Sequence, residues 1–149
     1  MRSDRDGAFG FAAGRQMPIR VLLVDDHRSV LERVEKLLSP EFTIVATASN
    51  GWEMLRACSG HNPDVVVADV AMHGLSGIEA SKKVLENQPG MPIVMLSMHR
   101  EPEVVQSALD AGAMGYVHKL TAGDDLIPAI HSALAGKRFV SESCNYPPA

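Results

Sequence analysis

The stretch Val21-Leu22-Leu23-Val24-Asp25-Asp26 decides how the rest of the chain is read. Four aliphatic residues in succession have the pattern of a strand buried on both faces, and the run stops abruptly on two carboxylates. Adjacent carboxylates repel each other and seek water, so the pair costs free energy unless solvent or a cation offsets it. Either it marks where a strand emerges or it holds something positive. The same pattern returns at Asp64-Val65-Val66-Val67-Ala68-Asp69, a second apolar run that ends on a carboxylate.

Outward from these two runs, short β-branched segments alternate with helical periodicity. Val30, Leu31, Val34, Leu37 and Leu38 recur at helical spacing before Ser39-Pro40 stops the pattern. Phe42 to Ala46 alternates more loosely, as a strand near a sheet edge does. Asn50-Gly51 opens a second helix that ends near Gly60, before the Asn62-Pro63 turn. A third helix runs from about Ile78 to Asn87 and a fourth from Pro102 to Ala111, stopped by Gly112. Between and after them lie strands at Pro92 to Ser97 and Met114 to His118. A fifth helix carries Leu126, Ile127, Ile130 and Leu134 up to Gly136. Five βα units with apolar strands predict a doubly wound five-stranded parallel sheet with helices on both faces, a three-layer α/β domain.

Composition narrows the function classes. At 149 residues, with 46% hydrophobic and 21% charged residues, the chain has the make-up of one soluble globular domain. A net charge of −4 offers no electrostatic footprint for nucleic acid or an anionic membrane surface. No apolar run approaches the roughly 20 residues of a membrane-spanning helix. Cys58 and Cys144 lie far apart, fit no metal spacing and suggest a reduced, cytoplasmic compartment. Residues 1–17 lack the apolar region of a signal peptide and read as a flexible leader. The domain is expected over residues 18–140, and residues 141–149 as an irregular tail.

In an open parallel sheet the chemistry lies beyond the carboxyl ends of the strands. There the sequence places Asp25 and Asp26, Asp69, Ser97 and Lys119. Three carboxylates together need a counter-charge, and hard oxygen ligands at a partly hydrated site suit Mg2+, the usual partner of phosphate. A carboxylate can attack phosphorus to form an acyl phosphate, and the transferring group needs electrophiles around its oxygens. Lys119 would supply a charge, Ser97 a hydroxyl and the metal a direct ligand.

The constellation resembles the receiver (response regulator) domain of two-component signalling, over about Ile19 to Phe139. The motifs that carry the resemblance are Val24-Asp25-Asp26-His27, Asp69-Val70-Ala71-Met72-His73-Gly74-Leu75-Ser76-Gly77, Leu96-Ser97 and Gly115-Tyr116-Val117-His118-Lys119. It implies a flavodoxin-like fold with strand order 2-1-3-4-5. It implies Asp69 as phosphoacceptor from a histidine kinase and Asp26 as direct Mg2+ ligand, with Asp25 nearby or acting through water. The Ala71 backbone carbonyl would complete the protein's metal ligands, Ser97 and Tyr116 would form the switch pair, and Lys119 would bind the phosphoryl group. Gly115 to Lys119, followed by Ala135 to Ser141, most resembles receivers of the LuxR/NarL-type helix-turn-helix subfamily. Their C-terminal DNA-binding domain has no counterpart here, so the chain reads as an excised or stand-alone receiver. Phosphorylation-linked homodimerisation is a further implication.

Three departures from the family pattern stand out. His73 replaces a usual proline and puts a group with an ordinary pKa of about 6.5 beside the site. Leu120 follows the lysine where the family often has a cis proline, and a non-proline cis bond costs roughly 3 kcal/mol. Pro128 sits where the fifth helix should be under way. A start at Asp124 or Asp125 would leave it in the first turn, and this later start is the one expected; a start at Thr121 would put it inside the helix.

Bland alternatives attach to each residue. An aspartate at a strand end is commonly a helix cap, and a strand tyrosine such as Tyr116 is commonly core. His27 reads as a solvated or capping residue, Trp52 and the methionines as packing, and Cys58 as a small buried hydrophobe. His73, His99 and His118 share the same edge without zinc-ligand spacing. Two competing functions remain. A phosphatase of the haloacid dehalogenase type would need an acid two residues after the nucleophile, where Ala71 stands. The other is a receiver-like interaction module that works without phosphorylation.

Overall fold

A computed structural model describes residues 18–146 of the chain. The expected leader and the last three residues lie outside this range. Strands β1 (Arg20–Val24), β2 (Thr43–Ala48), β3 (Val65–Ala68), β4 (Ile93–Ser97) and β5 (Gly115–His118) alternate with helices α1 (Arg28–Leu38), α2 (Gly51–His61), α3 (Gly77–Asn87), α4 (Pro102–Asp110) and α5 (Ala122–Leu134). One further strand, β6 (Phe139–Val140), follows.

Strand periodicity explains the three layers. Successive side chains point to opposite faces, so each buried strand feeds two cores. Leu22, Val24, Val66, Ala68, Ile93, Met95 and Tyr116 pack with Met54, Ala57, Ala80, Val84, Val105 and Ala108 of α2, α3 and α4. Their neighbours Val21, Leu23, Val65, Val67, Val94, Leu96 and Val117 pack with Val34, Leu38, Leu126, Ala129, Ile130 and Ala133 of α1 and α5. This is why β1, β3, β4 and β5 read as near-continuous apolar runs.

Among the described residues the sheet is six-stranded and parallel, in the order β2-β1-β3-β4-β5-β6. The expected order of the first five strands holds, and the expected count of five is corrected to six. β6 pairs through Gly115↔Phe139 and Tyr116↔Val140 and covers what would otherwise be the open edge of β5. β2 occupies the opposite edge, as its looser alternation suggested. Beyond β6, Glu142–Cys144 form a 3-10 turn, and Cys144 is buried in the core shared by Tyr116 and Met95.

The start of α5 also differs from expectation. Thr121 stands at its N-cap, after a 3-10 turn over Lys119–Thr121, and Pro128 lies inside the helix rather than in its first turn. A proline there removes the hydrogen bond to the carbonyl four residues earlier, that of Asp124. Both Asp124 and Pro128 are on the exposed stripe of α5, where water can take the place of the missing N–H. Trp52 is a second correction: it is 52% exposed rather than core packing. Cys58 is buried and free, and burial pushes its thiol up to about 11. No peptide bond is cis among the described residues, Lys119–Leu120 included.

Candidate functional site

Parallel register brings the polar residues together. Val24 pairs with Ala68 and Ala68 with Met95, while Ser97 pairs with His118, so the residues that follow these strands meet at one edge of the sheet. Backbone bonds fix the exits: Asp25 N donates to Ala48 O and Asp69 N to Val24 O, each at 3.0 Å.

Lys119 bridges two of the three carboxylates. Its Nζ lies 2.9 Å from Asp25 Oδ2 and 3.2 Å from Asp69 Oδ2. Asp25 and Asp69 are both buried. Burial raises the Asp69 carboxyl above its ordinary pKa; Lys119 opposes that and the charge of Asp25 adds to it, with the net direction upward. For Lys119, burial alone would lower the ammonium pKa. Its hydrogen bond to Asp25 and the charges of Asp69 and Asp25 outweigh burial and hold it above the ordinary value.

The third carboxylate, Asp26, pairs with histidines instead of Lys119. Its Oδ2 lies 3.1 Å from Nδ1 of the exposed His73. Burial acts to raise its pKa, and the His73 hydrogen bond with the charge of His27 overcomes that to lower it. Its Oδ1 is fully buried and accepts no hydrogen bond among the described residues, although His27 Nδ1 lies 3.0 Å away. A buried carboxylate oxygen without a hydrogen bond is costly unless a cation reaches it. Asp25, Asp26, His27 and Asp69 each offer one ligand atom, and these four atoms lie within 4.8 Å of one another. Three carboxylates with one lysine leave an excess of negative charge, so the group fits a divalent cation.

His27 is the member of this set that sequence reasoning passed over. It is the N-cap of α1, yet its side chain makes no cap hydrogen bond. Its backbone N donates to Asp25 Oδ1 at 2.9 Å, a tight turn that swings the imidazole back over the pair.

Across the cleft, Ser97 is fully buried, and its Oγ accepts the His99 backbone N–H at 3.0 Å. Tyr116 is also fully buried, and its hydroxyl donates to His99 O at 2.8 Å. Ala71 contributes a backbone N–H 3.4 Å from Asp69 Oδ1.

Residues 21–131 match the response regulator receiver domain family. The chain belongs to that family. It is 36% identical over 130 residues to the nitrate/nitrite response regulator NarL of Escherichia coli K12, covering 86% of this chain and 60% of that protein. It is 34% identical over 125 residues to the response regulator GacA of Pseudomonas aeruginosa, covering 83% of this chain and 58% of that one. The receiver thus spans somewhat over half the length of these curated relatives. Among solved structures, a LuxR-family two-component response regulator from Aurantimonas superimposes with a TM-score of 0.82 at 34% identity, covering 86% of this chain and 93% of that one. The isolated receiver domain of RcsB from Salmonella enterica serovar Typhimurium gives 0.78 at 26% identity, covering 86% and 96%. The LuxR/NarL-type resemblance is therefore borne out. The chain is a phosphoacceptor signalling domain of two-component systems, with a receiver fold and an acidic cluster able to hold a metal. No helix among the described residues is long and apolar enough to cross a membrane.

Burial of Tyr116 sets one alkaline property. It pushes the phenol up to about 12, the neighbouring Ser97 hydroxyl opposing the shift. In an unfolded chain the same group ionises near 10. The stabilisation is complete below pH 10 and is lost as pH rises from 10 to 12, a loss of up to about 3 kcal/mol. Cys58 acts in the same direction. Urea midpoints measured from pH 9 to 12 should fall less steeply for Tyr116→Phe than for wild type, and parallel curves would contradict this.

Proposed function

We propose that Asp69 accepts a phosphoryl group from a histidine kinase in a Mg2+-dependent reaction that the domain itself catalyses, and that the modified domain controls a DNA-binding output or partner protein. The observation that supports this most directly is the bridged pair: a buried nucleophilic carboxylate with a lysine on Oδ2 and a second carboxylate opposite it.

The residues divide the work. A carboxylate oxygen of Asp69 attacks phosphorus, and the bond from phosphorus to the donor nitrogen breaks. Lys119 balances the charge on the transferring phosphoryl oxygens, and Ser97 donates its hydroxyl proton to one of them. Asp25, Asp26, Asp69 and the Ala71 carbonyl would hold Mg2+, which when bound neutralises charge on the phosphoryl oxygens. Asp26 Oδ1 suits that role because no group among the described residues hydrogen-bonds to it. Two residues after Asp69, Ala71 offers no acid or base, which favours a switch over a turnover phosphatase. Residues 18–140 act as the receiver, phosphorylation of Asp69 is linked to homodimerisation, and transcription control is exercised through a DNA-binding domain or partner protein.

Intact-protein mass after incubation with acetyl phosphate and Mg2+ tests the reading. Wild type should gain one phosphoryl group, while Asp69→Asn and chelator-treated wild type should gain none. An unmodified wild type that also fails to bind Mg2+ would replace this function with the phosphorylation-independent interaction module.

A further inference from the structure

The segment after α5 is tied to the loop that leaves β4. Ser141 N donates to Tyr116 O at 2.9 Å, and Ser141 Oγ accepts the His118 N–H at 3.0 Å. Ser141 Oγ also donates to Asp125 Oδ2 at 2.7 Å, on which Thr121 Oγ1 converges at the same distance. Cys144 is buried in the same core cluster as Tyr116. Past it, the hydroxyl of Tyr146 donates to the carbonyl of Arg100.

Tyr116, from inside the sheet, holds the carbonyl of His99; Tyr146, from the C-terminal segment, holds the very next one. The His99 N–H in turn is bound to Ser97 Oγ. From the site residue Ser97 to Tyr146 the connection is therefore continuous: Ser97, the 98–101 loop, and two tyrosine hydroxyls on consecutive carbonyls.

We infer that residues 139–146 form a strap whose docking through Tyr146 is coupled to occupancy of the phosphoryl site, so that modification of Asp69 tightens the strap and the docked strap favours modification. This rests on the proposed phosphoacceptor role of Asp69. The direction comes from Ser97. With Oγ accepting from His99, its hydroxyl proton is left to be donated, and that loop position is the one both tyrosines hold. A change at one end of such an arrangement shifts the other only through differential stabilisation of the two loop states, and the coupling is reciprocal.

Reciprocity gives a sharp test with the phosphoryl analogue beryllofluoride plus Mg2+ on the full chain. Tyr146 is 45% exposed, so Tyr146→Phe removes one hydroxyl without touching the core. The variant should bind beryllofluoride about fivefold more weakly than wild type. In wild type, beryllofluoride should slow hydrogen exchange of the Cys144 and Asn145 amides by a similar factor, and in Tyr146→Phe by much less. Equal affinities, or tail exchange that beryllofluoride leaves unchanged, would overturn the strap while leaving the phosphoacceptor reading intact. A wild type that binds no beryllofluoride would remove both.

Discussion

Lys119→Ala should lose about 2–3 kcal/mol of stability, and most of that loss should disappear when Asp69 is also replaced by Asn. The ammonium faces two buried carboxylates at 2.9 and 3.2 Å. Removing one member of a buried ion pair leaves the other uncompensated, at a cost of about 3–5 kcal/mol where burial is complete. Lys119 keeps 15% of its side chain exposed, which lowers the figure. Asp69 alone behaves in the opposite sense. Its folded pKa is raised, so it contributes stability below its unfolded pKa of about 4, and that contribution is lost as pH rises through the folded value. Near neutral pH the charge is a burden, and Asp69→Asn should be more stable than wild type by on the order of 1 kcal/mol. The advantage should shrink as pH falls toward 4. Urea unfolding of wild type, the two single variants and the double variant measures the coupling. Additive effects within about 0.5 kcal/mol would mean that Lys119 does not compensate Asp69.

That coupling also shows what was legible in the sequence. Asp25, Asp69, Ser97 and Lys119 could be placed together because each follows or ends an apolar run, and parallel strands put such ends at one edge. His27 was missed because a histidine at a helix start has an easier reading as a cap. The missed signal was local: a carboxylate two residues before a backbone N–H readily forms a tight turn, and Asp25 does so with His27. β6 was not legible at all. Phe139 and Val140 are too few to show a period of two, and their pairing depends on the open edge of β5, where Phe139 N donates to Met114 O at 3.0 Å. The α5 start went astray for a comparable reason. Acidic residues and a proline suggest a cap at Asp124 or Asp125, whereas Ala122 packs against the same core as Leu126, Ala129, Ile130 and Ala133, and the helix begins there. Tertiary packing outweighed the local signals. Residue type alone points Trp52 to packing, and it carries no information on which side of α2 faces out.

Gly77→Ala should cost at least about 3 kcal/mol and slow phosphorylation of Asp69, although no polar group is changed. Gly77 begins α3 behind the Ser76 cap, and its N–H donates to Val70 O at 2.9 Å. A Cβ there would lie 1.9 Å from the Asp69 carbonyl oxygen, 2.9 Å from its carbonyl carbon and 3.3 Å from Val70 Cα. All three are backbone atoms, so no side chain can rotate aside, and either α3 withdraws or the strand exit carrying Asp69 moves. Because Lys119 is held by the position of the Asp69 carboxylate, a shift there disturbs the bridged pair as well. Gly60 is the control. It lies within α2, and an added Cβ meets nothing within 4 Å among the described residues. Gly60→Ala should therefore gain about 0.5–1 kcal/mol from helix propensity and a less flexible unfolded chain. Chemical unfolding and the rate of uptake from acetyl phosphate compare the two. If Gly77→Ala matched Gly60→Ala in both, the close approach of α3 to the Asp69 backbone would not be what positions the acceptor.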